Sequence, residues 1–418
     1  MMASRRIRSV AVVGDGPAGT TLATLLARDG IRVGLFSRGR PQGLVVGESL
    51  LPGAIPILRE LGIEDEVRSY SELKPGATFW LRDGEAIGFN FADSAGRLPG
   101  YAYNVPRDRF DATLIDVCRA SGAHIFDGRA RIEPDPAGAG RVRIDPADGD
   151  RVRDFFGGAP DWIVDATGRS RQIARLLELP TRTGDRGDIA LFAHCEGVEI
   201  ENPGHVHMDH LQRGWCWRIP LPGRVSLGIV LGADALAHVG GSLTDQYDAY
   251  LQADPHLKSI TASARRVSPV MKYGNYQLTT LQGVGNGWAL VGDALGFVDP
   301  IFSSGLFLAM DGARSLARAL RAGTPQALRR YGERQRRHLE AWQRVASYYY
   351  DGRLFELVRL GRPEQPNWIG RWINPHITTR ISRILTGEST TGPYSPRLLD
   401  FLVTHGLRVE EPGALRIR

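Results

Sequence analysis

The sequence predicts an α/β protein with a Rossmann-like nucleotide-binding domain, an inserted antiparallel-sheet substrate domain and a C-terminal helical region. Three observations lead to this prediction. A glycine-rich turn stands between an apolar run and a helical pattern near the N-terminus, two later apolar runs also end in glycine, and strand-like alternation fills the stretches between them. At 418 residues the chain is too long for one compact core, so more than one domain is expected.

The first unit is predicted to be strand, turn, helix and strand. Residues 10–13 form an apolar run, Leu22, Leu25 and Leu26 recur at helical spacing, and residues 31–36 return to an extended pattern. This βαβ order is typical of a nucleotide-binding domain.

Two other segments show a different pattern. Short alternating runs separated by turn residues occupy 75–103 and 186–272, which indicates an antiparallel sheet inserted twice. From about Thr324 onward the pattern is helical and rich in arginine. The predicted boundaries are 1–74, 104–180 and 273–345 for the nucleotide-binding domain, 75–103 and 181–272 for the sheet domain, and 346–418 for the helical region.

The composition favours a folded cytoplasmic protein. The net charge is +6, but the arginine-rich stretch at 329–338 comes without any nucleic-acid-binding module, so a solvated helix face is favoured over DNA or RNA binding. The three cysteines, Cys118, Cys195 and Cys216, match neither a disulfide framework nor a metal site. No run of roughly 20 apolar residues predicts a membrane span, and the first ten residues lack signal-peptide features.

The glycine-rich turn has the sequence GDGPAG and predicts a dinucleotide site. Its three glycines permit a tight turn, close approach to a pyrophosphate and helix–strand packing, with the phosphates over the helix N-terminus. The acidic residue expected near the end of the second strand to hold the ribose is missing, and Ser37 followed by Arg38 stands there. A serine can still hydrogen-bond the ribose, though less strongly than a carboxylate, so Ser37 and Arg38 are predicted to bind the cofactor. The turn residues predicted to bind the cofactor are Gly14, Gly16, Pro17, Ala18 and Gly19.

Three later motifs complete a resemblance. VPRDRFDATL at 105–114, DATG at 165–168 and GDALGFVDP at 292–300 resemble the FAD-dependent monooxygenases of the aromatic-hydroxylase fold. The resemblance implies that the nucleotide is FAD, that Asp293 contacts the ribityl chain and that Arg107 lies near the flavin. An N-cap of the next helix is the alternative role of Asp293. Further cofactor residues implied are Asp165, Gly168 and Gly292.

Within that class, three stretches resemble the flavin-dependent halogenases. VGESLLPGAIPILRELG at 46–62 contributes Glu48 and Ser49 as cofactor residues, and GWCWRIP fits the family's WxWxIP pattern. The loop at 297–305 fits the family's FxxPxxSxG pattern. A strand with two core tryptophans is the alternative interpretation of GWCWRIP. The residues expected to form the active-site wall are Trp215, Trp217, Ile219, Pro220, Phe297 and Phe307, and Pro300 and Gly305 are expected to contact the cofactor.

The loop before the predicted helix at 305 is the candidate halide site. Free amides of Ser303, Ser304 and Gly305 at a helix start, beside apolar side chains, would replace the hydration of chloride or bromide. The amides could serve the reduced flavin instead, or both. Phe307 stands where ordinary hydroxylases usually carry an asparagine that holds the flavin, which argues against plain hydroxylation.

Lys74, in ELKPGATFW, is similar to the halogenases' catalytic lysine. Its amine would hydrogen-bond hypohalous acid, or carry the halogen as a haloamine, beside an aromatic substrate. A surface lysine before a turn proline is the alternative.

The resemblance implies an enzyme of secondary metabolism that uses reduced FAD from a separate flavin reductase, O2 and a halide. The substrate implied is an electron-rich phenol or pyrrole, and the basic surface would suit an acidic carrier protein that bears it. Two alternatives remain. Ser37 and Asn104, both unusual for the family, allow a monooxygenase that does not halogenate, and a non-catalytic flavin-binding partner is also open.

Overall fold

A computed structural model describes residues 7–39, 44–94, 96–211, 213–232, 234–235, 240–274, 277–360 and 382–388, and positions 379, 397, 401, 416 and 417. The strands are β1 Ser9–Val13, β2 Arg32–Ser37, β3 Glu72–Lys74, β4 Gly76–Trp80, β5 Ala86–Asn90, β6 Ala102–Asn104, β7 His124–Asp127, β8 Ile132–Pro134, β9 Val142–Ile144, β10 Trp162–Asp165, β11 Thr181–Thr183, β12 Ile189–Glu196, β13 Val206–His210, β14 Trp215–Leu221, β15 Arg224–Leu231, β16 Arg265–Arg266, β17 Met271–Gly274, β18 Leu278–Thr280, β19 Trp288–Leu290 and β20 Gly296–Phe297. The helices are α1 Pro17–Arg28, α2 Ile55–Leu61, α3 Glu64–Tyr70, α4 Arg107–Ala120, α5 Pro146–Phe156, α6 Gln172–Leu176, α7 Leu243–Ala253, α8 Pro255–Ile260, α9 Gly305–Ala322, α10 Pro325–Tyr350 and α11 Arg353–Leu360.

The nucleotide-binding part is built on a five-stranded parallel sheet of order β19-β10-β1-β2-β7. Strand β1 is buried over its whole length and lies between β2 and β10, as a continuous apolar run predicts for a central parallel strand. Helices α1 and α9 pack together against this sheet. The carboxyl ends of β1, β10 and β19 therefore meet at one edge, where ligands bind in open α/β sheets.

The second sheet has eight strands in the described residues and joins the two predicted insertions. Its path is β16-β12-β15-β14-β13-β4-β5, and β17 also pairs with β12. All neighbours are antiparallel except β4 and β13, which run parallel with Ala77 opposite Val206. The sheet is mixed because this one parallel pair connects the 75–103 insertion to the later one.

Two long helices, α9 and α10, follow the last strand of the nucleotide-binding part and pack against each other. Asp311 of α9 is buried and pairs with Arg314 and with Arg334 of α10. On the outer side of α10, Arg329, Arg330 and Arg337 are exposed, so the prediction of a solvated arginine-rich face is confirmed for these residues.

The fold class predicted from the sequence is confirmed, with helices following the nucleotide-binding part. The exact domain boundaries stay a prediction. Most of the predicted C-terminal region, 346–418, lies outside the described residues, apart from the end of α10, α11 and the segment 382–388. Cys118, Cys195 and Cys216 are buried and free. Among the described helices, none combines the length and apolar character that crossing a membrane would require.

Candidate active site

The glycine turn after β1 leaves its backbone open for a pyrophosphate. Gly14 has φ of +113°, and a Cβ there would lie 2.3 Å from the Ala166 carbonyl oxygen, so only glycine fits. A Cβ at Gly19 would come within 1.9 Å of the Gly14 oxygen. A Cβ at Gly16 would meet nothing, because this glycine faces open space at the start of α1. Pro17 begins the helix and Ala18 follows it, both lining the cavity.

At the end of β2, Ser37 does not face the cavity but supports a carboxylate that does. Its hydroxyl donates to Asp15 Oδ2 over 2.6 Å, and Asp15 lines the cavity together with Arg38. Asp15 is the second residue of GDGPAG, a position that sequence reasoning left without a role. An acidic group therefore does face the groove beside the glycine turn, near the end of β2, but it comes from that turn and not from the strand.

Asp165, expected to touch the cofactor, is turned inward instead. It is fully buried, and its carboxylate accepts hydrogen bonds from the Thr167 amide and hydroxyl and from the Ile173 amide. These bonds shape the loop that carries Gly168, which does line the cavity. The prediction is corrected to an indirect role, because these three hydrogen bonds tie the carboxylate to its own loop.

Asp293 and Arg107 face the same cavity as expected. Burial raises the pKa of Asp293 to about 6, and Arg169 and Arg107 oppose that rise. Within the described chain this carboxylate has no hydrogen-bond partner, so cofactor hydroxyls can donate to it. Gly292 precedes it with φ of +62° and packs against Ala18. Asp293 is not an N-cap, because it lies inside the short 3₁₀ turn 292–294, and the next helical segments have Asp299 and Ser304 at their N-cap positions.

Arg107 holds the loop that leads into the cavity. Its guanidinium donates to the Val46 oxygen over 2.6 Å and to the Gly47 oxygen over 3.2 Å, and it pairs with Asp111. The next residue, Glu48, lines the cavity and lies 2.8 Å from His194 Nε2. His194 Nδ1 accepts from Arg224, which fixes the tautomer so that Nε2–H donates to Glu48. This chain of three residues was not predicted.

Two adjoining cavities share Gly16, Arg107 and Gly168. The groove beside the glycine turn has a volume of about 530 Å³, and the cofactor cavity next to it has a volume of about 190 Å³ and an apolar wall on the sheet side. Trp215, Trp217 and Ile219 line it from alternate positions of β14, as predicted, and Phe297 lines it from β20. Trp217 lies flat over β15 because its neighbour there is Gly228, where a Cβ would come within 2.1 Å of the ring.

Two of the predicted wall residues lie elsewhere. Pro220 follows Ile219 and therefore points to the opposite face of β14, outside the cavity lining. Phe307 packs against His338, with a ring separation of 5.7 Å, and against Gly53 and Gly387. One residue further along a helix turns a side chain by about 100°, which carries Phe307 away from the side of Leu306.

The candidate halide turn is held by a buried aspartate. Asp299 Oδ1 accepts from the Ile301 amide, and the turn ends at Ser303 with φ of +54°, a conformation uncommon outside glycine. The Ser303 amide is not free, contrary to prediction, because it donates to the Pro300 oxygen over 2.9 Å.

The free groups at this turn belong to the next residues. In the described chain the amides of Ser304 and Gly305 have no acceptor, and the buried Ser304 hydroxyl has no partner. Pro300, Ser303 and Gly305 line the cofactor cavity. The groups that can bind an anion at this helix start are therefore those of Ser304 and Gly305, and the backbone amide of Ser303 is not among them.

Asp299 also connects the turn to the tryptophan wall. Tyr350, at the end of α10, donates from its hydroxyl to Asp299 Oδ2 over 2.9 Å and accepts from Trp215 Nε1 over 2.9 Å. Arg186 stacks over the Tyr350 ring at 3.9 Å. No local sequence signal identified Tyr350, because its partners lie 51 and 135 residues away.

Lys74 is not a surface lysine. Its side chain is 2% exposed, and its Nζ donates to Ser49 Oγ over 2.9 Å and to the Leu50 oxygen over 3.1 Å. Burial lowers the pKa of Lys74 to about 7, so near neutral pH a large share of the amine is uncharged. The hydrogen bond to Ser49 connects Lys74 to the cofactor cavity, because Ser49 lines that cavity.

Lys74 faces a smaller cavity of about 20 Å³, the lysine cavity, which has room for roughly one water molecule. Val206, Met208 and Ser303 line both cavities and form the partition between them. Leu385 covers the lysine cavity from the C-terminal region. The remaining lining residues are apolar: Leu51, Ala77, Phe79, Phe89, Phe91 and Phe302.

The glycine turn, Asp293 and the tryptophan wall thus line two adjoining cavities, and the buried Lys74 lies on the other side of Val206, Met208 and Ser303. A family model described as tryptophan halogenase matches residues 9–99 and 94–353. The chain belongs to this family, and its enzyme class is flavin-dependent halogenase with FAD as cofactor.

Several proteins similar in sequence to this chain are named as halogenases. "Flavin-dependent halogenase armH3" of Armillaria mellea is 30% identical over 75% of this chain and 67% of its own length. "Sulochrin halogenase gedL" of Aspergillus terreus is 30% identical over 75% of this chain and 63% of its own length. A 1H-pyrrole-2-carbonyl-[peptidyl-carrier protein] chlorinase of Pseudomonas fluorescens is 25% identical over 73% of this chain and 74% of its own length. The chain thus spans about two thirds of the length of the first two.

Solved structures share the fold over nearly the whole chain. The flavin-dependent brominase Bmp2 matches with a TM-score of 0.79 at 22% identity, covering 95% of this chain and 98% of the brominase. The myxobacterial chondrochloren halogenase CndH matches with a TM-score of 0.70 at 25% identity, covering 99% and 100%.

Proposed function

We propose that this protein halogenates an electron-rich aromatic compound of the phenol or pyrrole type, using reduced FAD, O2 and chloride or bromide. Bound FAD would supply, with O2, the oxidising power that turns the halide into hypohalous acid. The residues proposed to hold the cofactor are the glycine turn 14–19, Arg38, Glu48, Ser49, Arg107, Gly168, Gly292, Asp293, Pro300 and Gly305. A separate flavin reductase would deliver the reduced cofactor.

The observation that carries the proposal is the buried amine of Lys74, which faces a small apolar cavity and whose pKa burial lowers to about 7. A neutral amine is nucleophilic, so it can take the halogen from hypohalous acid: the N–X bond forms, the O–X bond breaks, and water leaves with the amine proton. The haloamine then passes X⁺ to the aromatic carbon, and the ring proton returns to the nitrogen. The apolar walls around Lys74 keep water from competing.

The halide is proposed to bind at Ser304 and Gly305. Their two amides and the unpartnered Ser304 hydroxyl offer three donors at the N-terminus of α9, next to the cofactor cavity. An anion bound there would gain from the helix dipole and from the three donors, which offset the cost of removing it from water, and the apolar surrounding would limit competition from water for those donors. Ser303 is proposed to contribute its side chain, since its amide is occupied.

The acceptor is proposed to be an uncharged ring. Among the described residues, the lysine cavity is lined by apolar side chains, including four phenylalanines, apart from Lys74 and Ser303. These walls favour an uncharged ring over the paired charges of a free amino acid. The cavity is too small for a ring in this state, and the ring would enter where Leu385 covers it. The relatives named for sulochrin and for a carrier-bound pyrrole support these two substrate types.

The test is product analysis with bromide. The protein, FAD, a flavin reductase and NADH are incubated with simple phenols and with pyrrole-2-carbonyl groups, free or tethered to a carrier protein. We expect a brominated product from the wild type and none from Lys74→Ala, while Lys258→Ala, which changes an exposed lysine, should behave as wild type. An oxygenated product without bromine would show a monooxygenase instead.

The halide site has its own test. Crystals soaked in bromide and FAD should show anomalous density beside Ser304 and Gly305. The same soak with Ser304→Ala should weaken the density, because the hydroxyl donor is lost while both amides remain. Absence of bromide at saturating concentration would contradict the proposed site.

A further inference from the structure

Met208 lies on the path between the two cavities. It is 3% exposed and belongs to the partition that both cavities share. Its neighbours across the sheet are Trp217 of β14 and Phe79 of β4. Trp217 lines the cofactor cavity and Phe79 lines the lysine cavity, so the thioether stands between the place where oxidant would form and the amine that would receive it.

A thioether at this place has a chemical consequence. Methionine sulfur is soft and polarisable, and it is oxidised readily to the sulfoxide. Hypohalous acid is an oxidant of this kind, and thioethers react with it faster than amines do. Other side chains of the partition are inert by comparison, since Val206 is a hydrocarbon and Ser303 an alcohol.

We propose that Met208 is the modification site at which hypohalous acid that is not captured by Lys74 is consumed, so that turnover converts its thioether to methionine sulfoxide. This inference rests on the proposed function, because halide oxidation must supply the oxidant.

The reaction balances without another reagent. The thioether and HOX give the sulfoxide, a proton and the halide ion: the sulfur–oxygen bond forms, the oxygen–halogen bond breaks, and two electrons pass from sulfur to the halogen. The halide can be used again. The sulfoxide, however, places a strongly polar oxygen in an apolar partition, which carries a desolvation cost and narrows the passage, so the protein loses activity as the modification accumulates.

The location of the other methionines makes the inference testable by peptide mass spectrometry. Of the five methionines, Met1 and Met2 are at the N-terminus, Met271 is half-buried in β17 and Met310 is fully buried in α9. The complete system of protein, FAD, reductase, NADH, catalase and bromide is run without an aromatic acceptor. We expect one added oxygen on the Met208 peptide, rising with the reduced FAD consumed and absent when sulfate replaces bromide.

Two comparisons sharpen the result. Hypobromous acid added from outside should oxidise Met271 before Met208, because the former is more exposed. Lys74→Leu should raise the Met208 sulfoxide per reduced FAD consumed, because the competing amine is gone and no new thioether takes its place. In Met208→Leu, which keeps the volume but removes the sulfur, activity should decay several-fold more slowly relative to its own initial rate.

The outcomes separate the two proposals. If a phenol is brominated in parallel reactions but the Met208 peptide gains no oxygen, the inference is overturned and the proposed function stands. If Met271 is oxidised as fast as Met208 during turnover, oxidant leaves the protein freely and the inference is also overturned. If no acceptor is brominated and no methionine is oxidised, the proposed function fails, and the inference fails with it.

Discussion

Replacing Lys74 with methionine should change the free energy of unfolding by an amount that depends on pH. The amine has a pKa of about 7 in the folded state and 10.5 ordinarily, and burial is the cause of the difference. Between these two values the unfolded chain binds more protons than the folded one, so the wild type gains stability as pH rises through this window. Below about pH 7 the full cost of burying the ammonium is present.

The magnitude follows from the two pKa values. Linkage gives a cost of about 5 kcal/mol at about pH 5, about 4 kcal/mol at about pH 7 and about 2 kcal/mol at about pH 9. Lys74→Met removes this cost but leaves Ser49 Oγ and the Leu50 oxygen without their donor, a loss of about 1–3 kcal/mol each that does not vary with pH. The difference between mutant and wild type should therefore fall by about 3 kcal/mol between about pH 5 and about pH 9.

The assay is urea denaturation of both proteins, without FAD, at the two pH values. Titrations of all other groups are common to the two proteins and cancel in the comparison. Lys258→Met is the matched control, since its side chain is exposed and its difference from wild type should not depend on pH. A Lys74→Met difference that is constant across the pH range would refute the reasoning, because the amine would then be charged in the folded state as well.

Two further substitutions test contacts that the sequence did not reveal. Asp15→Asn should weaken FAD binding about tenfold, because the ribose hydroxyls would lose a charged acceptor that Ser37 orients. Titration followed by FAD fluorescence measures the affinity. Equal or tighter binding would mean that Asp15 only repels the pyrophosphate. Tyr350→Phe should raise the KM for bromide about tenfold while the affinity for FAD stays the same, because Asp299 loses a hydrogen-bond donor and the halide turn becomes less rigid. A lower melting temperature with an unchanged KM would show a purely structural role.

Much of the fold was predictable because its signals are local. The run at 10–13 became the central strand β1, and the alternating runs at 75–103 and 186–272 became one sheet. The parallel pairing of β4 with β13 was not predictable, because it joins segments about 130 residues apart and depends on which faces are buried.

The residues of the candidate site also fall into those that the sequence could predict and those that it could not. Motif spacing led to Asp293, Arg107, Trp217 and Lys74, whose side chains face the cavities. It could not show which way Phe307 turns, since a single helical position decides that.

Polar partners brought together by the tertiary fold were missed. Asp15 beside Ser37 and His194 beside Glu48 are separated by 22 and 146 residues. Neither pair belongs to a motif, and the residues gain their meaning only from the three-dimensional distance between them.

The hydrogen bond from Tyr350 to Asp299 sets an order of assembly. The glycine turn, the parallel sheet and Asp293 are all complete before the ribosome reaches residue 350, and domains tend to fold as they emerge. The halide turn gains its buried aspartate's partner only with the last turn of α10. During synthesis, the capacity to hold FAD would therefore arise first, and the capacity to seat a halide would arise only after the helix end has docked.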